Sequence, residues 1–132
     1  EELGYYSSYW SRFLRCYVRA LRAARAYADG ALHTKKWDPA QASQFFQDNL
    51  YMTKAQADGE VLKLSLSPTE GFSYILGMDR ILEMRRYYQR TEAKYFDLRK
   101  FHTVFLKMGE IPIDRIQEEM RRVKREENKI VR

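Results

Sequence analysis

The sequence predicts an all-α protein of about six helices. Apolar residues recur at spacings of three and four along most of the 132-residue chain, which is the period of an amphipathic helix. A helix-start signal precedes most of these stretches, and no apolar run is bounded by turn residues as a strand would be. The length suits one domain, so we predict a single helical domain over residues 1–132, cut from a longer parent chain because "EELGYY" lacks an initiator methionine.

The first predicted helix is long and has two distinct faces. Ser7 or Ser8 can cap its start, and Gly30 is expected to end it because glycine readily adopts the left-handed conformation. One face is apolar: Trp10, Phe13, Leu14, Tyr17, Leu21, Ala24 and Ala28. The opposite face carries Arg12, Arg15, Arg19 and Arg22.

Two further helices are predicted from local start signals. Asp38 can cap a helix whose first position is Pro39, where no N–H partner is lost. Thr53 and Gln56 have the spacing of a capping box and predict the next start. The stretch "VLKLSLS" alternates as a strand would, but it is short and lies between two helix-start signals.

The fourth predicted helix begins in "SPTEGFSYILGMDRILEMR". Ser67 is expected to cap it, Pro68 to take its first position, and Glu70 to bond back to the Ser67 N–H. Its apolar residues fall on two faces at about 100° per residue, and a helix that is apolar all round is a buried one. We therefore expect a central helix in which Gly77 allows a neighbour to approach closely.

The last two helices follow the same logic. Asp97 predicts the start of a fifth helix that runs to Gly109. A sixth is expected to start near Pro112.

Composition argues against several classes of function. No run approaches the ~20 apolar residues of a membrane span, and Cys16 is the only cysteine, so no internal disulfide can form. No His-Glu-x-x-His, Cys-x-x-Cys or glycine-rich phosphate loop is present. The net charge of +6 permits an acidic partner. We read the arginine face as solvated and do not expect nucleic-acid binding, because the acidic count is nearly as high as the basic one.

Three segments, in order, resemble the C-terminal part of the bacterial family named domain of unknown function 885. They are "GALHTKKW", "PTEGFSYILG" and "FDLRKFHTVFLKMGEIP", preceded by "ELGYY". Members of that family look like zinc metallopeptidases of the His-Glu-x-x-His type and are often described as lipoproteins. The resemblance spans Glu2 to about Met120. It implies the helical C-terminal portion of a larger gluzincin-like fold.

The resemblance also implies a role for the fragment and its partners. The zinc motif and the third ligand of the family lie upstream, so the chain itself is expected to hold no metal or other cofactor, while the parent protein would hold zinc. The fragment would form one wall of the cleft, be inactive alone, and pack against the upstream catalytic part. A peptide is the expected substrate, and self-association could hide the surface that the upstream part would cover.

His33 of "GALH" and Tyr74 of "PTEGFSY" match positions that face the cleft in the family. Hydrolysis of a peptide at zinc builds negative charge on the carbonyl oxygen, and a fixed imidazole or hydroxyl donor stabilises that charge most in the transition state. The resemblance thus implies catalytic roles for both. The alternatives are a core tyrosine bonded to backbone and a histidine that complements a helix C-terminus.

Glu70 marks a departure from the family. The family usually reads Pro-Gly-Gln-Ala where this chain reads Pro68-Thr69-Glu70-Gly71. An anionic Glu70 cannot donate a hydrogen bond as glutamine does, which predicts altered specificity or lost activity if Glu70 contacts substrate. The competing prediction is a non-catalytic helical interaction or scaffold module. The sequence does not fix the compartment, with a periplasmic, lipoprotein or cytoplasmic location all compatible.

Overall fold

The computed structural model describes residues 7–34 and 36–130, with side chains as far as Val123, so "ELGYY" lies outside the described residues. Within these ranges every regular element is a helix, and the predicted all-α class is confirmed. The elements are α1 Tyr9–His33, α2 Pro39–Leu50, α3 Lys54–Leu66, α4 Glu70–Glu92, a short 3-10 helix Ala93–Tyr95, α5 Leu98–Lys107 and α6 Ile113–Ile130.

Most of the predicted helix starts are confirmed by their caps. The side chains that accept first-turn N–H groups are those of Ser8, Asp38, Thr53 and Asp97. In α2 and α3 the side chain of the third residue, Gln41 or Gln56, also accepts a hydrogen bond from the backbone N–H of the N-cap residue. Such local bonds satisfy helix N–H groups that lack an intrahelical partner, which is why local sequence predicted them.

The predicted end of α1 at Gly30 is wrong. The helix continues to His33, and Thr34 caps it with its N–H on the Gly30 carbonyl. Gly30 serves close packing instead, because a Cβ there would lie only 3.1 Å from Cζ of Phe72. The residue is small because a ring passes over it.

The predicted start of α4 at Ser67 and Pro68 is also wrong. The Ser67 N–H bonds to the carbonyls of Lys63 and Leu64 and ends α3, so it cannot take part in a capping box with Glu70. Thr69 then turns the chain with a φ of 73°. The helix begins at Glu70, three residues after the predicted cap.

The expectation that α4 is buried on every side is not met at its first turns. Tyr74 is 49% and Leu76 57% exposed. Among the described residues, no atom outside the adjoining backbone of α4 lies within 4 Å of a Cβ placed at Gly77. The close approach predicted for Gly77 occurs instead at Gly30 and Gly71.

The chain divides into two compact units, Glu1–Leu76 and Gly77–Arg132. The prediction of one domain over residues 1–132 stays a prediction. In the first unit α1, α2 and α3 pack around a core of Ala24, Ala28, Ala42, Phe46, Leu50, Ala57, Val61 and Leu64. Small alanines at the contact let helices approach closely, so Phe46, with no exposed surface, fills the space between them.

The second unit has a core of its own, built from Met84, Tyr88, Phe101, Ile116 and Met120. Burial raises the pKa of the Tyr88 hydroxyl above its ordinary value, since the charged phenolate is poorly solvated there. Among the described residues, no helix is both long enough and apolar enough to cross a bilayer.

Candidate functional site

Asp29, in the last turns of α1, is a buried carboxylate with 1% of its surface exposed. Its Oδ1 accepts the Thr69 N–H at 3.1 Å, and its Oδ2 accepts the Gly71 N–H at 2.9 Å. A carboxylate this deeply buried is stable only when its oxygens are hydrogen-bonded. Asp29 therefore ties the end of α1 to the start of α4.

The bond replaces the missing local cap of α4. The first N–H groups of a helix have no intrahelical acceptor and carry the positive end of the helix dipole. Asp29 supplies both the acceptor and the negative charge from another helix. Gly71 is required at this contact, because a Cβ there would lie 2.7 Å from the Arg25 carbonyl oxygen and 2.9 Å from Asp29 Oδ2.

His33 lies one turn beyond Asp29, and its side chain is 30% exposed. Its Nδ1 lies 3.2 Å from the Asp29 carbonyl oxygen and 3.4 Å from Asp29 Oδ1. The same carboxylate thus contacts the predicted histidine and the two residues that flank Glu70.

An ion pair between α1 and α3 supports this region. Arg25 Nε and Nη2 lie 2.6 and 2.7 Å from the two carboxylate oxygens of Glu60, a bidentate geometry. The hydrogen bond that Arg25 donates to Glu60 raises the pKa of the Arg25 guanidinium above its ordinary value. Tyr74 and Glu70 raise it further through weaker Coulombic interactions, so both lie within the electrostatic reach of Arg25.

Tyr74 lies at the surface of the first unit. The Arg22 guanidinium lies 4.8 Å from the ring centroid, in a cation–π contact. The ring is therefore held by a charged neighbour while about half of the side chain stays accessible. This exposure disfavours the alternative of a core tyrosine.

Glu70 occupies the first turn of α4, where the helix dipole favours an acidic side chain. Its carboxylate lies 3.7 Å from Lys63 Nζ, and both side chains are about half exposed. An exposed pair of this kind contributes little to stability. The predicted bond to Ser67 is replaced by one from the Glu70 N–H to the Ser67 carbonyl.

The predicted residues are placed along one side of α1 rather than at one point. Tyr74 lies over Arg22, whereas His33 contacts Asp29, and Arg22 and His33 are separated by about 16 Å of helix axis at about 1.5 Å per residue. Glu70 lies next to the Asp29 contact, since Thr69 and Gly71 flank it. Any cleft that uses all three would follow α1 over several turns.

Sequence reasoning missed Asp29, Arg25 and Glu60. One signal was present: Asp29 and His33 are four residues apart and share a helix face. The partners of Asp29 at Thr69 and Gly71, by contrast, could not be found by a local pattern.

The described residues form no metal site. No three His, Cys, Asp or Glu side chains among them are close enough to hold an ion, so zinc, which takes at least three protein ligands, does not fit here. The predictions on cofactors stay predictions.

A cavity of about 360 Å³ lies in the second unit. Tyr88, Asp97, Lys100 and Phe101 are among its lining residues. None of His33, Glu70 or Tyr74 contributes to it.

Comparison with known proteins identifies one relationship. Searches of curated proteins and of solved structures give no match. The family described as "Bacterial protein of unknown function (DUF885)" matches residues 1–120. Because this match covers most of the 132 residues, the chain belongs to the DUF885 family of bacterial proteins.

Proposed function

We propose that this chain is the C-terminal, cleft-wall part of a zinc-dependent peptidase whose metal is held by residues outside it. The observation that carries the proposal is the buried Asp29 carboxylate. It joins the turn that carries His33 to the first turn of α4, which begins at Glu70 and leads into Tyr74. Deep burial of a charge is costly unless the charge is paired or hydrogen-bonded, so a buried carboxylate in contact with a candidate site residue supports a functional role for this region.

In this proposal Tyr74 donates a hydrogen bond to the substrate oxygen that becomes negative. The hydroxyl belongs to a half-exposed ring whose position is fixed by Arg22. A donor that is already in place needs little reorganisation during the reaction. Glu70, an acceptor, would instead contact an N–H group or a basic side chain of the peptide.

The surface of α1 supports a role for a further polypeptide segment. Its first turns expose four large apolar side chains: Tyr9, Trp10, Phe13 and Leu14. Trp10, for example, is 74% exposed. Exposed apolar patches mark interaction surfaces. We propose that the upstream catalytic part covers this patch, which we call the α1 aromatic face.

The test uses the full-length protein with zinc and a mixed peptide library, cleavage being read by mass spectrometry. Tyr74→Phe is expected to lower turnover by about 100- to 1,000-fold, the usual effect of losing one such donor. KM should change little, because the bond belongs to the transition state. The melting temperature should also change little, since the phenylalanine ring can still pack beneath Arg22.

Tyr95→Phe is the matched control. Tyr95 is also exposed, and its ring also has a cation nearby, Lys94 Nζ at 5.0 Å from its centroid. It is not one of the predicted site residues, so turnover should stay at the wild-type value. Unchanged turnover in Tyr74→Phe would remove the catalytic role of Tyr74.

A non-catalytic helical interaction module is the second candidate, and the α1 aromatic face favours it. A gene that lacks His-Glu-x-x-His upstream of Glu1, together with a full-length protein that cleaves no peptide, would support the module and contradict the peptidase.

A further inference from the structure

The tautomer of His33 can be derived from its surroundings. Nδ1 lies near two oxygens of Asp29, the main-chain carbonyl at 3.2 Å and Oδ1 at 3.4 Å. A carbonyl oxygen and a carboxylate oxygen only accept hydrogen bonds. The ring nitrogen between them must therefore carry a hydrogen, which leaves the lone pair of the neutral ring on Nε2.

The carboxylate itself is held rigidly. Its two oxygens accept the N–H groups of Thr69 and Gly71 at 3.1 and 2.9 Å, and the lack of a Cβ at Gly71 permits this close approach. A carboxylate fixed by two backbone donors is a good orienting group for an imidazole, since its position does not depend on a flexible partner. Asp29 thereby sets the orientation of His33.

We propose that Asp29 is a positioning residue that holds neutral His33 in the Nδ1–H tautomer, so that Nε2 acts as a proton acceptor. The inference rests on the proposed function for the claim that His33 faces a peptide cleft. It changes the role of His33: the neutral ring accepts a hydrogen bond or a proton from an O–H or N–H group and does not donate to an oxyanion. The donor role falls to Tyr74 alone.

Proton transfer to Nε2 is chemically balanced in this arrangement. The group that loses the proton becomes more negative by one charge, and His33 becomes an imidazolium with hydrogens on both nitrogens. The Asp29 carboxylate beside Nδ1 stabilises that positive charge. Among the described residues, no hydrogen bond to Nε2 competes with an incoming group.

The test is a measurement on the 132-residue chain with its histidines labelled by ¹⁵N. At a pH where both rings are neutral, long-range proton–nitrogen spectra distinguish a protonated ring nitrogen from one with a lone pair. We expect His33 to show a protonated Nδ1 and an unprotonated Nε2. His102, the other histidine, serves as an internal reference.

Two variants of Asp29 and one control separate positioning from stability. Asp29→Ala and Asp29→Leu should move His33 to a mixture of tautomers, because the side-chain acceptor is lost. Asp38→Ala removes another N-cap carboxylate, one that accepts the Gln41 N–H at 2.8 Å in α2. It should lower the melting temperature without changing the His33 tautomer.

Either of two results would overturn the inference. One is a wild-type His33 whose hydrogen lies on Nε2, a measurement that needs no variant and so survives any failure of the variants to fold. The other is an unchanged Nδ1–H tautomer in folded Asp29→Ala. An inactive full-length protein with His33 still in the Nδ1–H tautomer would refute the peptidase and leave the positioning role of Asp29 intact.

Discussion

Gly71 is a residue at which α4 approaches α1 closely in the first unit. A methyl group there would lie 2.7 Å from a backbone oxygen of Arg25, and backbone cannot move aside as a flexible side chain can. We expect Gly71→Ala to destabilise the first unit by about 1–3 kcal/mol, the usual cost of overpacking. Urea denaturation measures the loss.

Gly59→Ala is the control for this prediction. Gly59 is in α3, and apart from the adjoining helix backbone none of the described residues has an atom within 4 Å of a Cβ placed there. Alanine should stabilise the helix by about 0.5–1 kcal/mol because it restricts the unfolded chain. The two Gly→Ala substitutions should thus change the free energy of unfolding in opposite directions. An unchanged free energy of unfolding in Gly71→Ala would contradict the close approach of α1 and α4.

Residue-scale prediction from sequence succeeded where the partners are neighbours in the chain. Asp38 bonds to Gln41 three residues later, and a spacing this short can be recognised in the amino-acid sequence. Asp29 bonds to residues 40 and 42 positions away, and no spacing rule reaches that far. The prediction that Gly30 ends α1 failed for the same reason. The residue that packs against Gly30 is Phe72, which is distant in the sequence.

At the scale of the elements, α2 and α3 are joined by a polar contact as well as by their core. The buried Ser43 hydroxyl donates to Asp58 Oδ1 at 2.6 Å, and Lys54 Nζ lies 2.6 Å from Asp58 Oδ2. The hydrogen bond from Lys54, and then that from Ser43, lowers the pKa of Asp58 below its ordinary value.

This lowered pKa predicts an acid-sensitive contribution to stability. The carboxylate form is favoured in the folded state, so the contribution is complete above the unfolded pKa of about 3.9 and is lost as pH falls through the lower folded value. Melting temperatures measured between about pH 5 and pH 2 should therefore fall less steeply in Asp58→Asn than in wild type.

Lys54→Ala tests the cause. It removes the largest influence on the pKa of Asp58 while keeping the carboxylate. The decrease of the melting temperature with falling pH should then lie between that of wild type and that of Asp58→Asn. A wild-type slope in both variants would show that Asp58 titrates alike in the folded and unfolded chain.

Element-scale prediction failed at α4 for a physical reason. The apolar residues of "GFSYILGM" indicated a buried helix. Apolar content shows that a helix surface is favourable to bury, but it does not identify the partner that would cover that surface. Tyr74 and Leu76 remain exposed among the described residues. The helix class was predictable from periodicity, whereas the covering partner was not.

At the scale of the whole molecule, the α1 aromatic face predicts how the 132-residue chain behaves alone. Its rings contact one another, with Tyr9 and Trp10 centroids 6.2 Å apart and Trp10 and Phe13 centroids 6.1 Å apart. We expect the isolated chain to bind a hydrophobic dye or to self-associate as its concentration rises. Dye fluorescence and sedimentation velocity measure the two outcomes.

Trp10→Ser should reduce both signals. Leu106→Ser removes an apolar side chain of similar exposure, 72% against 74%, from outside the α1 aromatic face, and it should leave them unchanged. A wild-type chain that is monomeric at high concentration and binds no dye would show that the face needs no cover. The prediction of a partner would then lose its structural support.

The Asp29 bond also has a consequence for the order in which the chain folds. Helices α2 and α3 carry their own capping boxes, so they can form before distant contacts exist. The Asp29 carboxylate meets Thr69 and Gly71 only after the chain from residue 29 to residue 69 has closed into a loop, an ordering that costs entropy. We therefore expect the turn that carries Glu70 and Tyr74 to dock late, after the transition state, so that weakening it hastens unfolding more than it slows folding.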